Sequence, residues 1–248
     1  MTFIKSAEEV TIMRRAGKVV AAILERLKNE VKPGVTTRQL DAVAVEELKK
    51  RGAKASFKGY RGYPASLCVS INEEVVHGIP GERLIEEGDI VSLDFGAYVD
   101  GFHGDAAVTV GAGKLSSQAQ ELLDVTEAAL LAGIKAAHCG AYLGDVSAAI
   151  QTYVEAKGFS VVREYCGHGI GRDLHEDPQV PNFGVAGKGP VLQRGVTLAL
   201  EPMVAVGDWR TCVADNRWTV RTVDNSLSAH FEHTIAIGTA EPEVLTVL

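Results

Sequence analysis

Apolar and β-branched residues on both sides of Asp100-Gly101 predict a β-hairpin in the middle of the chain. The two predicted strands are Ile90–Gly96 and His103–Val110, and Asp-Gly is favoured in two-residue hairpin turns. With that turn, Asp94 and Asp105 point to the same face of the hairpin, roughly 7–8 Å apart at the backbone. The register that follows pairs Val99 with Phe102, Gly96 with Asp105, and Asp94 with Ala107.

The two aspartates of the hairpin repel each other unless a proton or a cation lies between them. Asp94 also interrupts an otherwise apolar strand, which a hairpin facing water does not explain. A shared metal centre resolves both facts, and so does pairing with a Lys or Arg. The hairpin by itself leaves these two interpretations open.

Apolar residues at helical spacing predict four helices, two before the hairpin and two after it. Capping residues and glycine or proline mark their ends. The predicted starts and ends are Ser6 and Pro33, Thr36 and Gly52, Ser117 and Gly140, and Asp145 and Gly158. Further strands are predicted around residues 67–71, 159–163, 196–206, 218–223 and 231–237, with a glycine-rich loop around His168.

The pattern before and during the hairpin repeats about 106 residues later. Gly34–Gly52 and Gly140–Gly158 both enclose a capped helix, and an acidic residue follows a glycine by six positions in each half. These acidic residues are Asp94 and Glu201. The repeat predicts an α+β fold of two pseudo-symmetric halves that share one mostly antiparallel sheet. Because a pseudo-twofold axis brings Asp94 and Glu201 together, we expect a single catalytic domain over residues 1–248.

Composition narrows the class of protein. The chain has 248 residues with a net charge of −7 and no block of Lys and Arg, which argues against binding to nucleic acid or to an anionic membrane. No apolar run is long enough for a membrane span or a signal peptide. The cysteines contain no CxxC pair and are expected to be reduced thiols. We therefore expect a soluble, cytoplasmic protein.

Three more polar residues of the second half join the two aspartates as candidate metal ligands. Glu201 ends an apolar strand, Glu232 lies inside another, and His168 lies between glycines. Together with Asp94 and Asp105 they form a set of four carboxylates and one imidazole without a thiolate. Such a set suits Mn²⁺, Fe²⁺, Co²⁺ or Zn²⁺, and four negative charges are enough for two divalent ions.

Four motifs resemble those of type I methionine aminopeptidases, in the same order and spacing over essentially the whole chain. They are DFGAYVDGFHGD, EYCGHGIGRDLHEDP, ALEPM and FEHT. The resemblance implies the pita-bread fold, with helices on the outer face of a curved sheet, and a centre of two divalent metal ions. It also implies removal of the initiator methionine from nascent polypeptides, with a preference for a small second residue.

The resemblance implies a role for each candidate ligand. Asp94 is expected to bind one metal ion through both oxygens, while His168 and Glu201 bind the other. Asp105 and Glu232 are expected to bridge the two ions. Glu201 is also the expected acceptor of the proton from the attacking water.

The resemblance further implies a substrate pocket. His175 is expected to contact the scissile carbonyl and His77 the leaving amide nitrogen, although without the resemblance both read better as ordinary loop histidines. Leu174 departs from the family pattern, because relatives commonly carry an aromatic residue at this position directly before His175. The expected methionine pocket consists of Tyr60, Tyr63, Cys68 and Trp218. A monovalent cation is a further implied ligand, held by carbonyls of Ile71–Glu74 and the Ser228 hydroxyl.

The implied partners are the N-termini of nascent polypeptides, with transient ribosome contact, and the protein is expected to be a monomer. Two rival interpretations stay open. A proline-specific peptidase of the same fold usually has a large additional N-terminal domain. A metal-free protein of this fold that binds peptides usually lacks one or more ligands, whereas all five are present here.

Overall fold

The computed structural model describes residues 3–248. The helices within these residues are α1 (Ala7–Lys28), α2 (Thr37–Arg51), α3 (Ser117–Ala136) and α4 (Leu143–Ala156). The strands within them are β1 (Lys54–Ala55), β2 (Cys68–Ile71), β3 (Glu74–Val76), β4 (Ile90–Val99), β5 (Phe102–Gly111), β6 (Ser160–Val161), β7 (Gly167–Gly169), β8 (Glu176–Val180), β9 (Thr197–Leu200), β10 (Met203–Ala205), β11 (Thr211–Val213), β12 (Val220–Thr222), β13 (Ser228–His230), β14 (Glu232–Ala236) and β15 (Glu243–Val244).

The predicted hairpin is β4 and β5. Asp100 and Gly101 form its turn with φ of 48° and 94°, the left-handed torsions that a type I′ turn requires. Asp94 pairs with Ala107 and Gly96 with Asp105, so the predicted register is confirmed.

The hairpin is part of a nine-stranded antiparallel sheet. Its path is β1-β4-β5-β14-β9-β7-β8, with β2 added on β4 and β15 on β14. Strands β5 and β14 meet in the middle through the pairs Ala107–Glu232 and Ala106–His233. We call this junction the seam, because β1 to β5 come from the first half of the chain and β7 to β15 from the second.

The two halves are related by the repeat that the sequence predicts. The amide of Gly34 donates to the carbonyl of Ile85 at 2.8 Å, and the amide of Gly140 donates to that of Leu192 at 2.9 Å. Both glycines have a φ near 90°, a torsion that favours glycine. The same turn therefore starts the second helix of each half, and the repeat is confirmed.

Each half packs its helices on the sheet through its own apolar core. Leu27 of α1 and Leu40 of α2 pack with Phe95 of β4 in the first half. Leu122 of α3 and Ile150 of α4 belong to the corresponding cluster of the second half. The helices therefore support the strands that carry the candidate ligands.

Two predicted helix caps and one predicted loop are wrong. Helix α3 is capped by Ser116, whose hydroxyl accepts the amide of Ala119, so Ser117 is already helical. Asp145 is the third residue of α4 and not its cap, because its carboxylate accepts the amide of Tyr142 at 2.8 Å. His168 lies in strand β7 and not in a loop.

Among residues 3–248, no helix has both the length and the apolar character to cross a membrane.

Candidate active site

The twelve residues that the sequence singles out line one cavity of about 140 Å³ at the seam. Phe57 and Arg61 also line it, and the sequence did not indicate either of them. The twelve are Tyr60, Tyr63, Cys68, His77, Asp94, Asp105, His168, Leu174, His175, Glu201, Trp218 and Glu232.

The five candidate ligands come from different strands. Asp94 and Asp105 lie within the hairpin, His168 in β7, and Glu232 at the start of β14, while Glu201 directly follows β9. Donor atoms of Asp105, His168 and Glu232 lie within 4.8 Å of one another. Nε2 of His168 is 3.6 Å from Oε1 of Glu201. The seam thus brings together side chains that are far apart in sequence.

Burial sets the electrostatics of the four carboxylates. It raises the pKa of Asp94 to about 7. The pKa values of Asp105, Glu201 and Glu232 lie well above the usual range, first because of burial and then because of the neighbouring carboxylates. Within residues 3–248, no Lys or Arg forms an ion pair with any of the four; the partners of Glu201 are imidazoles. The Lys or Arg alternative left open by the sequence is therefore wrong.

A divalent cation fits this group of side chains. Oδ1 of Asp94, Oδ1 of Asp105 and Oε1 of Glu232 are buried and have no hydrogen-bond partner in the described part of the chain. Buried polar atoms are normally satisfied, so unpartnered oxygens that face one cavity are suited to binding a cation. Oxygen donors with a single imidazole suit the borderline divalent ions.

The tautomer of His168 is compatible with such an ion. Its Nδ1 is 2.8 Å from the carbonyl of Gly169, which can only accept a hydrogen bond, so Nδ1 carries the hydrogen. Nε2 is then left with a lone pair on the side of Glu201. Burial lowers the pKa of His168 to about 4, which keeps the ring neutral as metal ligation requires.

Neighbouring groups fix the backbone of the candidate ligands. The amide of Asp105 donates to the Thr234 hydroxyl at 3.0 Å, and that hydroxyl donates back to the Asp105 carbonyl at 2.7 Å. The side-chain amide of Asn182 donates to the carbonyl of Glu201 at 3.0 Å. Contacts of this kind orient metal ligands in proteins.

One wall of the cavity is apolar and aromatic. Tyr63 and Trp218 meet edge to face with ring centroids 5.1 Å apart. The Tyr63 hydroxyl donates to the carbonyl of Gly78 at 2.8 Å, which fixes its ring. Burial raises the pKa of Cys68 and keeps its thiol neutral, and Leu174 belongs to the same buried apolar cluster. This wall therefore suits a neutral, flexible side chain.

His175 lies between this wall and the candidate ligands. Its Nδ1 is 2.9 Å from the Tyr60 hydroxyl, and the two rings stack at 5.1 Å. The ring of His168 is 4.1 Å away. Burial lowers the pKa of His175 to about 3, so its imidazole is neutral.

His77 occupies a strained position in the lining of the cavity. Its φ of 61° lies in the left-handed region, which costs a non-glycine residue free energy and is most frequent at functional sites. The rings of Tyr165 and Trp218 lie 5.8 and 6.4 Å from it. Burial lowers its pKa, so this histidine is also neutral.

Sequence reasoning missed His230 and Asn182, which both contact Glu201. His230 is fully buried, its ring nitrogens have no hydrogen-bond partner within residues 3–248, and its Nε2 is 3.6 Å from Oε2 of Glu201. Its position two residues before Glu232 was the only available indication.

At the expected monovalent-cation site, the Asn72 carbonyl accepts the amide of Ser228 at 2.8 Å, which brings the turn and the serine together.

Comparison with known proteins agrees with this geometry. The sequence pattern of metallopeptidase family M24 matches residues 11–239. The chain therefore belongs to family M24, a class of metal-dependent hydrolases, and the expected pita-bread fold is confirmed.

Within that family the similarity is to proteins named methionine aminopeptidase. The chain is 52% identical to methionine aminopeptidase 1 of Bacillus subtilis, over 99% of both chains. It is 50% identical to the methionine aminopeptidase of Clostridium perfringens over the full length of both. The crystal structure of methionine aminopeptidase from Thermotoga maritima superposes with a TM-score of 0.99 at 49% identity and covers both chains completely.

Proposed function

We propose that this protein removes the N-terminal methionine from polypeptides whose second residue is small, and that residues 1–248 act as one catalytic domain. One observation carries the proposal. A neutral aromatic and thiol pocket adjoins a buried set of four carboxylates and one imidazole inside the same cavity. The first part suits a thioether side chain, and the second suits metal-assisted hydrolysis.

The metal centre is proposed to hold two divalent ions. Asp94, Asp105, His168, Glu201 and Glu232 would bind them, with Asp105 and Glu232 shared between the two. When bound, such ions polarise a carbonyl and lower the pKa of a coordinated water. Mn²⁺, Fe²⁺, Co²⁺ and Zn²⁺ all accept these donors. We further propose a monovalent cation at the turn of Ile71–Glu74 beside Ser228.

Glu201 is the proposed proton acceptor for the attacking water. Its backbone carbonyl is held by Asn182, and its two carboxylate oxygens face different imidazoles, His168 and His230. A carboxylate in this position can bind through one oxygen and receive a proton at the other.

The two neutral histidines are assigned to the substrate. His175 is proposed to donate a hydrogen bond to the oxygen of the scissile carbonyl as negative charge develops there. The Tyr60 hydroxyl contacts Nδ1 of His175, which leaves Nε2 available for the substrate. His77 is proposed to interact with the amide nitrogen that becomes the leaving amine.

The methionine side chain is proposed to lie against Tyr60, Tyr63, Cys68 and Trp218, with Leu174 in the same wall. Sulfur makes favourable contacts with aromatic rings, and a neutral thiol avoids a buried charge beside the thioether. Leu174 gives this wall an aliphatic surface where an aromatic residue is common in the family. The substrates are proposed to be N-termini of nascent polypeptides, met by a monomer with transient ribosome contact.

A peptide panel tests the proposal. Metal-stripped protein is refilled with one divalent metal at a time under anaerobic conditions and assayed on Met-Ala, Met-Gly, Met-Lys, Met-Phe and Ala-Pro peptides. We expect cleavage of Met-Ala and Met-Gly to be much faster than that of the other three. Equal rates across the methionine peptides would indicate a general aminopeptidase, and preferred cleavage of Ala-Pro a proline-specific one. Binding of peptides without turnover at any metal would support the metal-free alternative.

A further inference from the structure

Lys5 and Glu176 form an ion pair that is almost completely removed from water. Only 5% and 4% of their side-chain surfaces are exposed, whereas every other Lys or Arg ion pair within residues 3–248 has at least one side chain that is more than 30% exposed. The two residues are 171 positions apart in the sequence. Such a pair joins the segment before α1 to the start of β8.

The Lys5 end of the pair is fixed to the strand region that leads to Glu201. The amide of Lys5 donates to the carbonyl of Gly195 at 2.8 Å, and Ile4 forms a bridge with Val196. The ammonium group also donates to the carbonyl of Phe3 at 3.2 Å. Lys5 is therefore anchored through both its backbone and its side chain.

The Glu176 end organises the loop that precedes β8. One carboxylate oxygen accepts the amide of Arg172 at 2.8 Å, while the other binds Lys5. Gly171 packs so closely on this pair that a β-carbon there would lie 2.4 Å from Cε of Lys5. The loop of residues 171–176 is thus folded around the ion pair.

This loop carries His175, the residue directly before Glu176. The Tyr60 hydroxyl holds the imidazole at Nδ1. The backbone of His175 continues directly into Glu176, whose carboxylate holds the loop through the amide of Arg172. The ring position therefore depends on two supports, one at the ring and one at the chain behind it.

We propose that Lys5 and Glu176 are positioning residues that set the location of the His175 ring in the cavity. The proposal rests on the assignment of His175 to the substrate made above. Stability alone accounts poorly for the pair, because a buried ion pair is often no more stabilising than an apolar pair of similar size. Placement of a group that contacts the reacting carbonyl is sensitive, and a shift of about 1 Å can cost about 10²-fold in rate.

A double-mutant cycle tests the proposal through His175. Lys5→Met is made in the wild-type and in the His175→Ala background, and kcat and KM are measured on a Met-Ala peptide. We expect kcat to fall at least about tenfold in the first background and less than about twofold in the second, because the lysine acts through the missing ring. An equal loss in both backgrounds would overturn the proposal.

Arg172→Gln is the matched control. Arg172 lies in the same loop and contacts Glu9 at 2.8 Å, but this ion pair is largely exposed. Exposed pairs contribute little, so kcat should change less than about twofold. A loss in Arg172→Gln as large as that in Lys5→Met would show general sensitivity of the loop and would contradict a specific role of the buried pair.

A second variant covers the case in which Lys5→Met does not fold. In Lys5→Met/Glu176→Gln no charge is left unpaired, and the glutamine can still accept the amide of Arg172. We expect its melting temperature to recover while kcat stays low, whereas recovery of both would show a purely structural role.

A crystal structure of this variant gives a readout that is independent of turnover. The 2.9 Å contact between His175 and Tyr60 should be broken, and an unchanged contact would overturn the proposal even if methionine peptides were not substrates.

Discussion

Thr234 and Asp105 form a reciprocal pair of hydrogen bonds across the seam. The threonine hydroxyl accepts the amide of Asp105 and donates to its carbonyl. The next pairs along the seam, Ala106–His233 and Ala107–Glu232, are ordinary ladder positions. At Asp105, the proposed bridging ligand, the Thr234 hydroxyl therefore takes the place of the backbone hydrogen bonds that join the two strands elsewhere.

The first prediction concerns this hydroxyl. Thr234→Val should lower the affinity for divalent metal about 10–100-fold, the usual cost of losing a group that orients a ligand. Both backbone groups of Asp105 lose their partner, so thermal stability should fall as well. Metal affinity is measured by calorimetric titration of the metal-free protein. Thr234→Ser keeps the hydroxyl and is the control; equal affinities in all three proteins would contradict the prediction.

The second prediction concerns Asp105 as a bridge. Asp105→Asn removes one negative charge from a proposed metal centre that has about four. The number of bound metal ions and the activity should therefore fall together. Mass spectrometry of the native protein gives the number of ions per chain, and steady-state kinetics give kcat. A variant that keeps two ions and full activity would show that Asp105 is not a ligand.

The third prediction separates the histidines from the ligands. His77→Ala and His175→Ala should keep their metal ions, while kcat falls about 10²–10³-fold, the typical loss for a group that stabilises developing charge. The same metal analysis and kinetics apply. Loss of an ion in either variant would make that histidine a ligand, and full activity in both would return them to ordinary loop residues.

The sequence predicts the hairpin and its aspartates because an Asp-Gly turn determines which residues share a face. It also predicts the repeat, since glycines with left-handed torsions recur at matching positions. The cap of α3 was misplaced by one residue because Ser116 and Ser117 are adjacent and equally suited to capping. The flanking glycines predict a loop at His168, whereas pairing with β8 and β9 makes it a strand residue.

Contacts between distant side chains escaped prediction for a different reason. Lys5 and Glu176, or Asn182 and Glu201, carry no local pattern that reveals a partner. His230 could be noticed only from its place beside Glu232. Their roles depend on the folded seam and on the loop before β8, which only the three-dimensional arrangement defines.

The fourth prediction concerns the metal-free protein and pH. Burial raises the pKa of Asp94 from 3.8 to about 7, and three other buried carboxyls shift in the same direction. Below about pH 7 the buried histidines His77, His168, His175 and His230 oppose this effect, because burial lowers their pKa values from 6.5 and only the unfolded state protonates them. Above about pH 7 these histidines are neutral in both states and the folded state binds more protons through its carboxyls, so the free energy of unfolding falls as pH rises. Metal-free protein should therefore melt at a higher temperature at pH 7 than at pH 9.

Calorimetric melting of chelated and metal-saturated protein checks this pH dependence. Bound cations compensate the carboxylates, so the saturated protein should show a weaker loss of stability between pH 7 and pH 9, and chelation should abolish activity without unfolding the protein. The large apolar cores explain why the fold should persist. A metal-free protein that becomes more stable as pH rises from 7 to 9 would contradict the prediction.

The fifth prediction concerns Leu174, which is 2% exposed in the pocket wall. Leu174→Ala should lower kcat/KM for a Met-Ala peptide about tenfold or more, because the methionine side chain loses packing contacts. The free energy of unfolding should fall by about 2–5 kcal/mol. Leu174→Met conserves the volume and is the control. Unchanged kinetics in Leu174→Ala would place the methionine side chain elsewhere.

The Asp100-Gly101 turn lies at the end of the hairpin, where a surface loop ordinarily accommodates extra residues. Here the two-residue length determines the pairing of β4 with β5. One inserted residue that shifted this pairing by one position would turn the side chains of one strand to the opposite face. Asp94 and Asp105 would then no longer point to a common side. Insertion scanning should therefore find this turn as intolerant as the residues that line the cavity, although Asp100 and Gly101 are not among them.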